Sequence, residues 1–490
     1  MAKLFLFGIG GTGARVIKSL TMLLGCGVQP INSEIDEIVP IIIDPHGANE
    51  DLKRTISLLN NYQRIYERLG DNRQGFFSTK ITTLNQGAFT YKIQEVNNDK
   101  FRDYIDYSNL DANNQDLATL LFSKETLDVE MDIGFVGNPN IGSVVLNQFR
   151  ESPEFQQVAS NFSNGDRIFI ISSIFGGTGA AGFPLLVKNI RNANATGNDL
   201  SLTNKDLLSN APIGAVSVLP YFGVTPNAEK AISKSDFFVK TKAALAYYEK
   251  NLSGRSGALN AHYYIGDLRT PEYENDPGEG GQKNDAHFVE VASALSIIEF
   301  MQLSTLDLKT QNAKALNTLH YEFGIKSDDA MLTFNNLGNA TQLMLAKKMT
   351  KYFLFKKYLE EEFNDKIKGN APFTNAAPKL DNSFTSTPFY RNYLTDFNAA
   401  FQDWLDELET NDRKFKPFNQ NALLSKSING IDAKGGFFAG KFDEKAYTSS
   451  LNKISSKRKD YTSAEHKLIE LFDAALEVLL KDKYDYFNNF

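Results

Sequence analysis

The chain has 490 residues, of which 42% are hydrophobic and 23% charged, enough for two or three domains and a large buried core. Lys and Arg total 52 against 59 Asp and Glu, and the resulting net charge of -7 argues against a general nucleic-acid binder, which needs a basic surface to displace counterions. The single cysteine, Cys26, excludes an intrachain disulfide and a multi-cysteine zinc site; it fits a reducing compartment and reads as a small buried apolar side chain.

In chain order, Lys3–Phe7 predicts a strand that runs into "FGIGGTGARV" and a helix extending to about Leu24. Ile38–Ile43 predicts a second strand ending at Asp44, and the polar stretch from about Asn60 to Asp128 predicts a helix plus irregular connection. Met131–Gly142, "MDIGFVGNPNIG", is a glycine-containing turn. The strand Arg167–Ser172 leads into "SIFGGTGAAG" and a helix from about Gly182 to Ala193. Pro212–Leu219 and His262–Ile265 are further strands, and a Gly- and acid-rich loop, Asp276–Asn284, precedes a long apolar helix from about His287 to Leu303. Strands alternating with helices imply a parallel α/β sheet. Short strands follow at His320–Phe323 and Ala330–Phe334; beyond about Thr341 the chain is mostly helical, with a Pro/Asn/Thr-rich connector at Asn370–Pro388 and a periodic helix within Ser463–Phe487. Trp404, on an apolar stripe with Phe401, Leu405 and Leu408, reads as core. No apolar run approaches the ~20 residues of a membrane span. No secretory signal is read, so a cytoplasmic location is expected, with the membrane reached peripherally if at all.

Two glycine-rich strand-to-helix turns are the unusual feature. Gly8, Gly10 and Gly13 satisfy G-x-G-x-x-G, which with Asp44 also suits a dinucleotide site. Tight strand–helix packing without a ligand explains the first loop too. A dinucleotide fold has no use for the second loop, and a P-loop requires a Gly-Lys-Ser/Thr that is absent here. Strand ends of a parallel sheet open onto one edge, where the backbone N–H groups of Gly176, Gly177, Thr178 and Gly179 and those of the first loop, Gly10, Gly11, Thr12 and Gly13, could hold a polyphosphate from both sides. Glycine is required because a side chain would block that approach.

On these residues the sequence resembles the tubulin/FtsZ superfamily. Its phosphate loop, GGGTGTG/S, is similar to Phe175-Gly-Gly-Thr-Gly-Ala-Ala-Gly182, with Phe175 in place of the first glycine. Its first loop is similar to Gly8-Ile-Gly-Gly-Thr-Gly13, its strand-end acid to Asp44, and its third loop to Gly134-Phe-Val-Gly-Asn-Pro-Asn-Ile-Gly142, which includes Gly137 and Asn138. The resemblance covers about Met1–Phe323. It implies an α/β fold with a parallel-sheet GTP-binding domain over 1–286, then a long central helix and degenerate hydrolysis loop over 287–318. A C-terminal α+β to mostly helical domain follows over 319–490.

It further implies GTP or GDP as ligand with Mg2+ bridging the phosphates, reached through water by Asp44 or Asn138. Pro220 and Glu229 fall where the family contacts the ribose, although a solvated face explains Glu229 equally well. Asp267 falls at the family's guanine-reading Asn, where a carboxylate could accept from the base N–H groups. Asn284 and His287 begin the central helix at the base, His287 being equally readable as a plain helix start.

The family completes hydrolysis with a neighbouring subunit's N-x-D-x-x-D loop, and here Thr305, Asp307 and Thr310 stand at those positions. One acid, Asp307, survives, with Asp328 and Asp329 as alternatives past the next strand. A slow GTPase is therefore the most that catalysis promises. The resulting expectation is a GTP-binding protein forming head-to-tail filaments with slow hydrolysis. The alternative is a non-polymerising GTP-binding switch or scaffold subunit whose C-terminal helices bind a protein partner. An NAD-type oxidoreductase, read from the first loop alone, leaves the second loop unexplained.

Overall fold

The computed structural model describes residues 2–45, 49–70, 74–84, 88–91, 100–131, 135, 138–195, 202–225, 234–252, 256–268, 271–274, 283–325, 330–434, 442–458 and 460–489. Its frame is an eight-stranded sheet. The strands are β1 (Ala2–Ile9), β2 (Ile35–Ile43), β3 (Lys80–Ile81), β4 (Thr90–Tyr91), β5 (Arg167–Ser173), β6 (Ile213–Val218), β7 (Ala261–Asp267) and β8 (Leu319–Ile325). The order is β8-β7-β6-β5-β1-β2-β3, with β4 also pairing β2, and every pairing is parallel.

The central strands show why. Leu4–Phe7 and Ile168–Ile171 are inaccessible on both faces, the pattern of strands covered by helices on either side. The strand expected to open the C-terminal region, β8, instead extends this sheet beyond β7, in register from Leu319 opposite Ala261 to Ile325 opposite Asp267.

The helices that position the site are α1 (Gly10–Gly25), α2 (Glu50–Leu69), α3 (Pro139–Val145), α4 (Gly177–Arg191), α5 (Lys234–Asn251) and α6 (Phe288–Gln302). The C-terminal half contributes α7 (Asn339–Glu361), α8 (Thr395–Thr410), α9 (Glu444–Lys457) and α10 (Ala464–Lys483). The central helix α6 is mostly apolar, and Phe288–Ile298 are buried without interruption, Glu290 and two serines included, the signature of a helix enclosed on every side. It packs against α1, β6 and β7. The apolar period read near the C-terminus is realised in α10, where Leu468, Leu471, Phe472, Ala475, Leu476 and Leu479 are all buried. Trp404 and Cys26 are buried, as expected of core residues.

The second glycine helix starts earlier than the expected Gly182. α4 begins at Gly177, so "GTGAAG" is its first turn and a half rather than a loop before it. Small residues cost the helix some propensity, but they leave its first N–H groups uncovered by side chains.

Candidate functional site

The two glycine turns meet. Gly10 takes a left-handed backbone, φ +69°, and a Cβ added to it would lie 3.4 Å from Thr178 Cβ. Both helices begin without a side-chain cap, α1 after Ile9 and α4 after Gly176. Two helix N-termini thus lie side by side, each with its first N–H groups uncapped by side chains, and both dipoles favour an anion there.

The glycines divide by role. A Cβ on Gly13 would stand 2.4 Å from the Gly8 carbonyl carbon, and one on Gly179 would stand 2.7 Å from the Ser173 oxygen, so these two close the strand-to-helix packing. Gly10 faces Thr178 across the two turns, whereas a Cβ on Gly11 would turn toward Asn49 and one on Gly176 toward Ser173 Oγ. The third turn adjoins the second: a Cβ on Gly142 in α3 would lie 3.1 Å from the Gly177 oxygen. Asn138, half-buried at the start of α3, stands at the same edge, while Gly137 lies outside the described residues.

Asp44 follows β2 at this edge and accepts from Asn49 Nδ2 at 3.3 Å. Asn49 Oδ1 caps α2 through the Asp51 N–H, and its Nδ2 would lie 3.1 Å from a Cβ on Gly11. Asp44, Asn49 and the first loop therefore form one polar corner. Among the described residues no group of three or more His, Cys, Asp or Glu side chains is spaced to hold a metal ion.

Behind the first loop sits a charged cluster that sequence reading passed over. Arg15 Nη2 donates to Thr12 Oγ1 at 3.2 Å and to Tyr221 Oη at 2.9 Å, Nη1 to Asp51 at 2.8 Å, and Nε to Glu290 at 2.9 Å. Burial alone would weaken the Arg15 proton, but Tyr221, Asp51 and Glu290 outweigh it and hold the guanidinium charged. Burial likewise pushes the Asp51 carboxyl up, and Arg15 and Arg54 more than reverse this, leaving it below the ordinary carboxylate range. Burial raises Glu290 despite the pull of Arg15 and Lys18. Tyr221, pushed far up chiefly by burial, stays a neutral phenol that donates to Glu290 at 2.8 Å. The available signal was "GARVIKSLTMLLG": a helix this apolar must bury its few charges, and buried charges need partners.

The residues expected at a guanine are differently employed. The Asp267 side chain is fully buried, and its carboxylate accepts from Arg413 Nε at 2.9 Å and Nη2 at 2.7 Å, a bidentate pair with both oxygens engaged. Each oxygen thus already serves the guanidinium, in a side chain closed off from solvent. His287 is the N-cap of α6: Nδ1 accepts the Val289 N–H at 3.0 Å, and Glu290 completes a capping box. Burial, above all, lowers its pKa to about 4, so the ring is neutral, with Nε2 3.8 Å from Asp267. Asn284 is buried just ahead of this helix, its carbonyl accepting from Arg54 at 3.2 Å. Pro220 is buried beside Tyr221; Glu229 lies outside the described residues.

The segment expected to carry hydrolysis lies elsewhere. The α6 C-terminus meets the strands' starting edge, where Arg167 donates to the Phe300 carbonyl at 2.9 Å and Ser33 to that of Met301 at 2.7 Å. A 15-residue helix is about 22 Å long, so this edge is the one remote from the glycine turns. Past it, Asp307 is exposed and accepts from Ser304 Oγ at 2.7 Å. Thr305 is exposed and donates to Glu34 at 3.2 Å. Thr310 opens a short antiparallel hairpin, Thr310–Gln311 with Lys314–Ala315, and its hydroxyl accepts from buried Asn260 at 3.0 Å. Asp328 and Asp329 lie outside the described residues.

No family model matches the sequence, and none of the curated proteins does. Solved structures similar to the chain include CetZ2 from Haloferax volcanii, described as a GTPgS-bound protofilament, at 14% identity and TM-score 0.29 over 62% of this chain and 58% of that one. A single-residue mutant of FtsZ from M. jannaschii is similar at 15% identity and TM-score 0.26, over 54% of this chain and 46% of that one. CetZ from Methanosaeta thermophila strain DSM 6194 gives 15% and 0.26, over 61% and 52%. The chain spans about half the length of these matched structures. Over that span it is similar to CetZ and FtsZ structures.

Proposed function

We propose that this chain binds a guanine nucleotide, GTP or GDP, with the phosphates gripped between Gly10–Gly13 and Gly176–Gly179 and with Asn138 and Asp44 at the rim. The observation that carries this reading is the placement of Gly10 beside Thr178, which brings together two helix N-termini whose first N–H groups no side chain caps. Neither loop supplies a Lys or Arg to the facing surface, so the grip comes from backbone N–H groups and helix dipoles. A magnesium ion suits the oxygen chemistry of this corner, with Asp44 as the carboxylate that would hold it through water. It would neutralise charge on the phosphates.

Asp307 cannot reach that site within one chain, because it belongs to the opposite edge of the sheet. The function we propose is therefore self-association in which Asp307 of one copy approaches the nucleotide of the next. Such a head-to-tail contact does not close on itself and yields filaments. Hydrolysis is slow because Thr310, held by Asn260, cannot take up a proton from water as a carboxylate would.

Mass spectrometry of ligand released from purified protein, with fluorescent-GTP titration, tests the first part. Recovery of adenine or nicotinamide nucleotides alone would overturn it. Sedimentation with a slowly hydrolysed GTP analogue tests the second part, and a monomer at every concentration would overturn assembly.

A further inference from the structure

We propose that Glu407, on α8 in the C-terminal half, is a positioning residue for the glycine-turn site, linking the shape of the first turn to the seat of α8 on α1. The proposal rests on the nucleotide reading above.

The contact between α1 and α8 is built from specific groups. Lys18 Nζ donates to Glu407 Oε2 at 3.0 Å, and Trp404 Nε1 donates to Ser19 Oγ at 3.2 Å. Farther along, a Cβ on Gly25 would lie 2.4 Å from Phe397, so the helices touch there backbone to ring. Glu407 also accepts from the Ala286 N–H at 3.0 Å, immediately ahead of α6, and from Arg54. Arg54 grips Asp51 at 2.6 Å, Asp51 grips Arg15 at 2.8 Å, and Arg15 reaches Thr12 Oγ1 in the first turn at 3.2 Å.

Three cations, Arg15, Lys18 and Arg54, thus face three carboxylates, Asp51, Glu290 and Glu407. Arg54 is the most exposed of the six at 22%. In such a medium no member can leave its partner without stranding a charge, so displacement at Thr12 is passed on rather than absorbed. Glu407 is the one member supplied from beyond α6. Burial raises its carboxyl, and Lys18 and Arg54 outweigh that and hold it ionised, as this role requires.

Trp404 is the chain's only tryptophan, so its emission reports on this contact alone. The experiment is a titration of the full-length protein with GDP, following Trp404 emission and, separately, binding by calorimetry. The expected result is a saturable emission change with the calorimetric midpoint. Glu407→Gln should weaken GDP binding by about fivefold or more and remove most of the emission change. Lys18→Met combined with Glu407→Gln, which removes both charges of that pair, should recover part of the affinity. Should Glu407→Gln fail to fold, Ser19→Ala and the wild-type titration decide, since neither disturbs a charge. GDP bound by wild type with no change at Trp404, or bound by folded Glu407→Gln with wild-type affinity, overturns the positioning role and leaves the nucleotide reading standing. No GDP bound by wild type overturns both.

Discussion

The two ends of the central helix differ in almost everything except the helix they share. At the N-terminal end, His287 and Glu290 are buried, His287 caps the helix, and Glu290 is paired within the chain. At the C-terminal end, Asp307 and Leu306 stand exposed beside a two-strand hairpin whose turn places Asn312 and Ala313 at positive φ. One end is finished by its own chain, while the other presents groups outward. A site drawing on both must be assembled from two copies, and substitutions at the two ends should fail in different ways.

The largest effect is expected at the glycine turns. Gly10→Val puts a β-branched side chain at φ +69° and against Thr178, and should weaken fluorescent-GTP binding by at least about 100-fold, with about 2 kcal/mol of strain. Gly324→Val, where an added Cβ meets nothing within 4 Å, is the matched control and should bind normally. Equal binding by all three proteins would take the ligand away from these turns.

Next comes Asp307→Ala. Any GTP turnover should fall by roughly 10²–10⁴-fold while nucleotide affinity is unchanged, and wild-type turnover per chain should rise with protein concentration. Brisk hydrolysis independent of concentration would mean that one chain completes the site, and the contrast between the two ends would collapse.

A pH measurement sharpens the N-terminal end. His287 is buried and its pKa is lowered to about 4, so between the ordinary value near 6.5 and pH 4 the unfolded chain binds a proton that the folded one refuses. Stability must therefore rise with pH across this window and fall on acidification, by about 3 kcal/mol in all. His287→Asn preserves an N-cap and removes the titration, so urea melts from pH 7 to 4 should show a slope shallower by about one proton. An unchanged slope would place the ring in solvent. His262, lowered to about 3 by burial and by His320, should leave a residual slope of the same sign.

The smallest effect belongs to the exposed hairpin. Ala313 sits at φ 58°, a backbone that glycine adopts without penalty, so Ala313→Gly should raise stability by about 0.5–1 kcal/mol in thermal melts. A loss of stability would mean that the Ala313 methyl makes contacts outweighing its strain.

What the sequence revealed follows the range of the interactions. The glycine turns were legible because the signal is local: an apolar strand, then glycines, then an apolar period. Their convergence followed from parallel topology. The pairing of Asp267 was not legible because its partner, Arg413, is 146 residues away, and nothing near either residue announces the pair. His287 was left between two readings because helix capping and base stacking ask for the same position, and only the Val289 N–H decides which its ring nitrogen serves here. β8 was assigned across the boundary because strand propensity is blind to which edge a strand will join. Arg15 and Lys18 were within reach and were missed, since two charges in a helix with so few other polar residues already demand buried partners.

Cys26 ends α1 where that helix meets the C-terminal half. It is fully buried, its thiol is pushed far up by burial, and it neighbours Tyr352 of α7. As the only thiol in the chain it is a clock for the parting of the two halves. An alkylating reagent can reach it only when the seam opens, so the labelling rate in mild denaturant yields the free energy of that opening without any mutation. Labelling well ahead of global unfolding would mean that the C-terminal helices lift from α1 as a unit, and a bound ligand that tightens the seam would slow the clock.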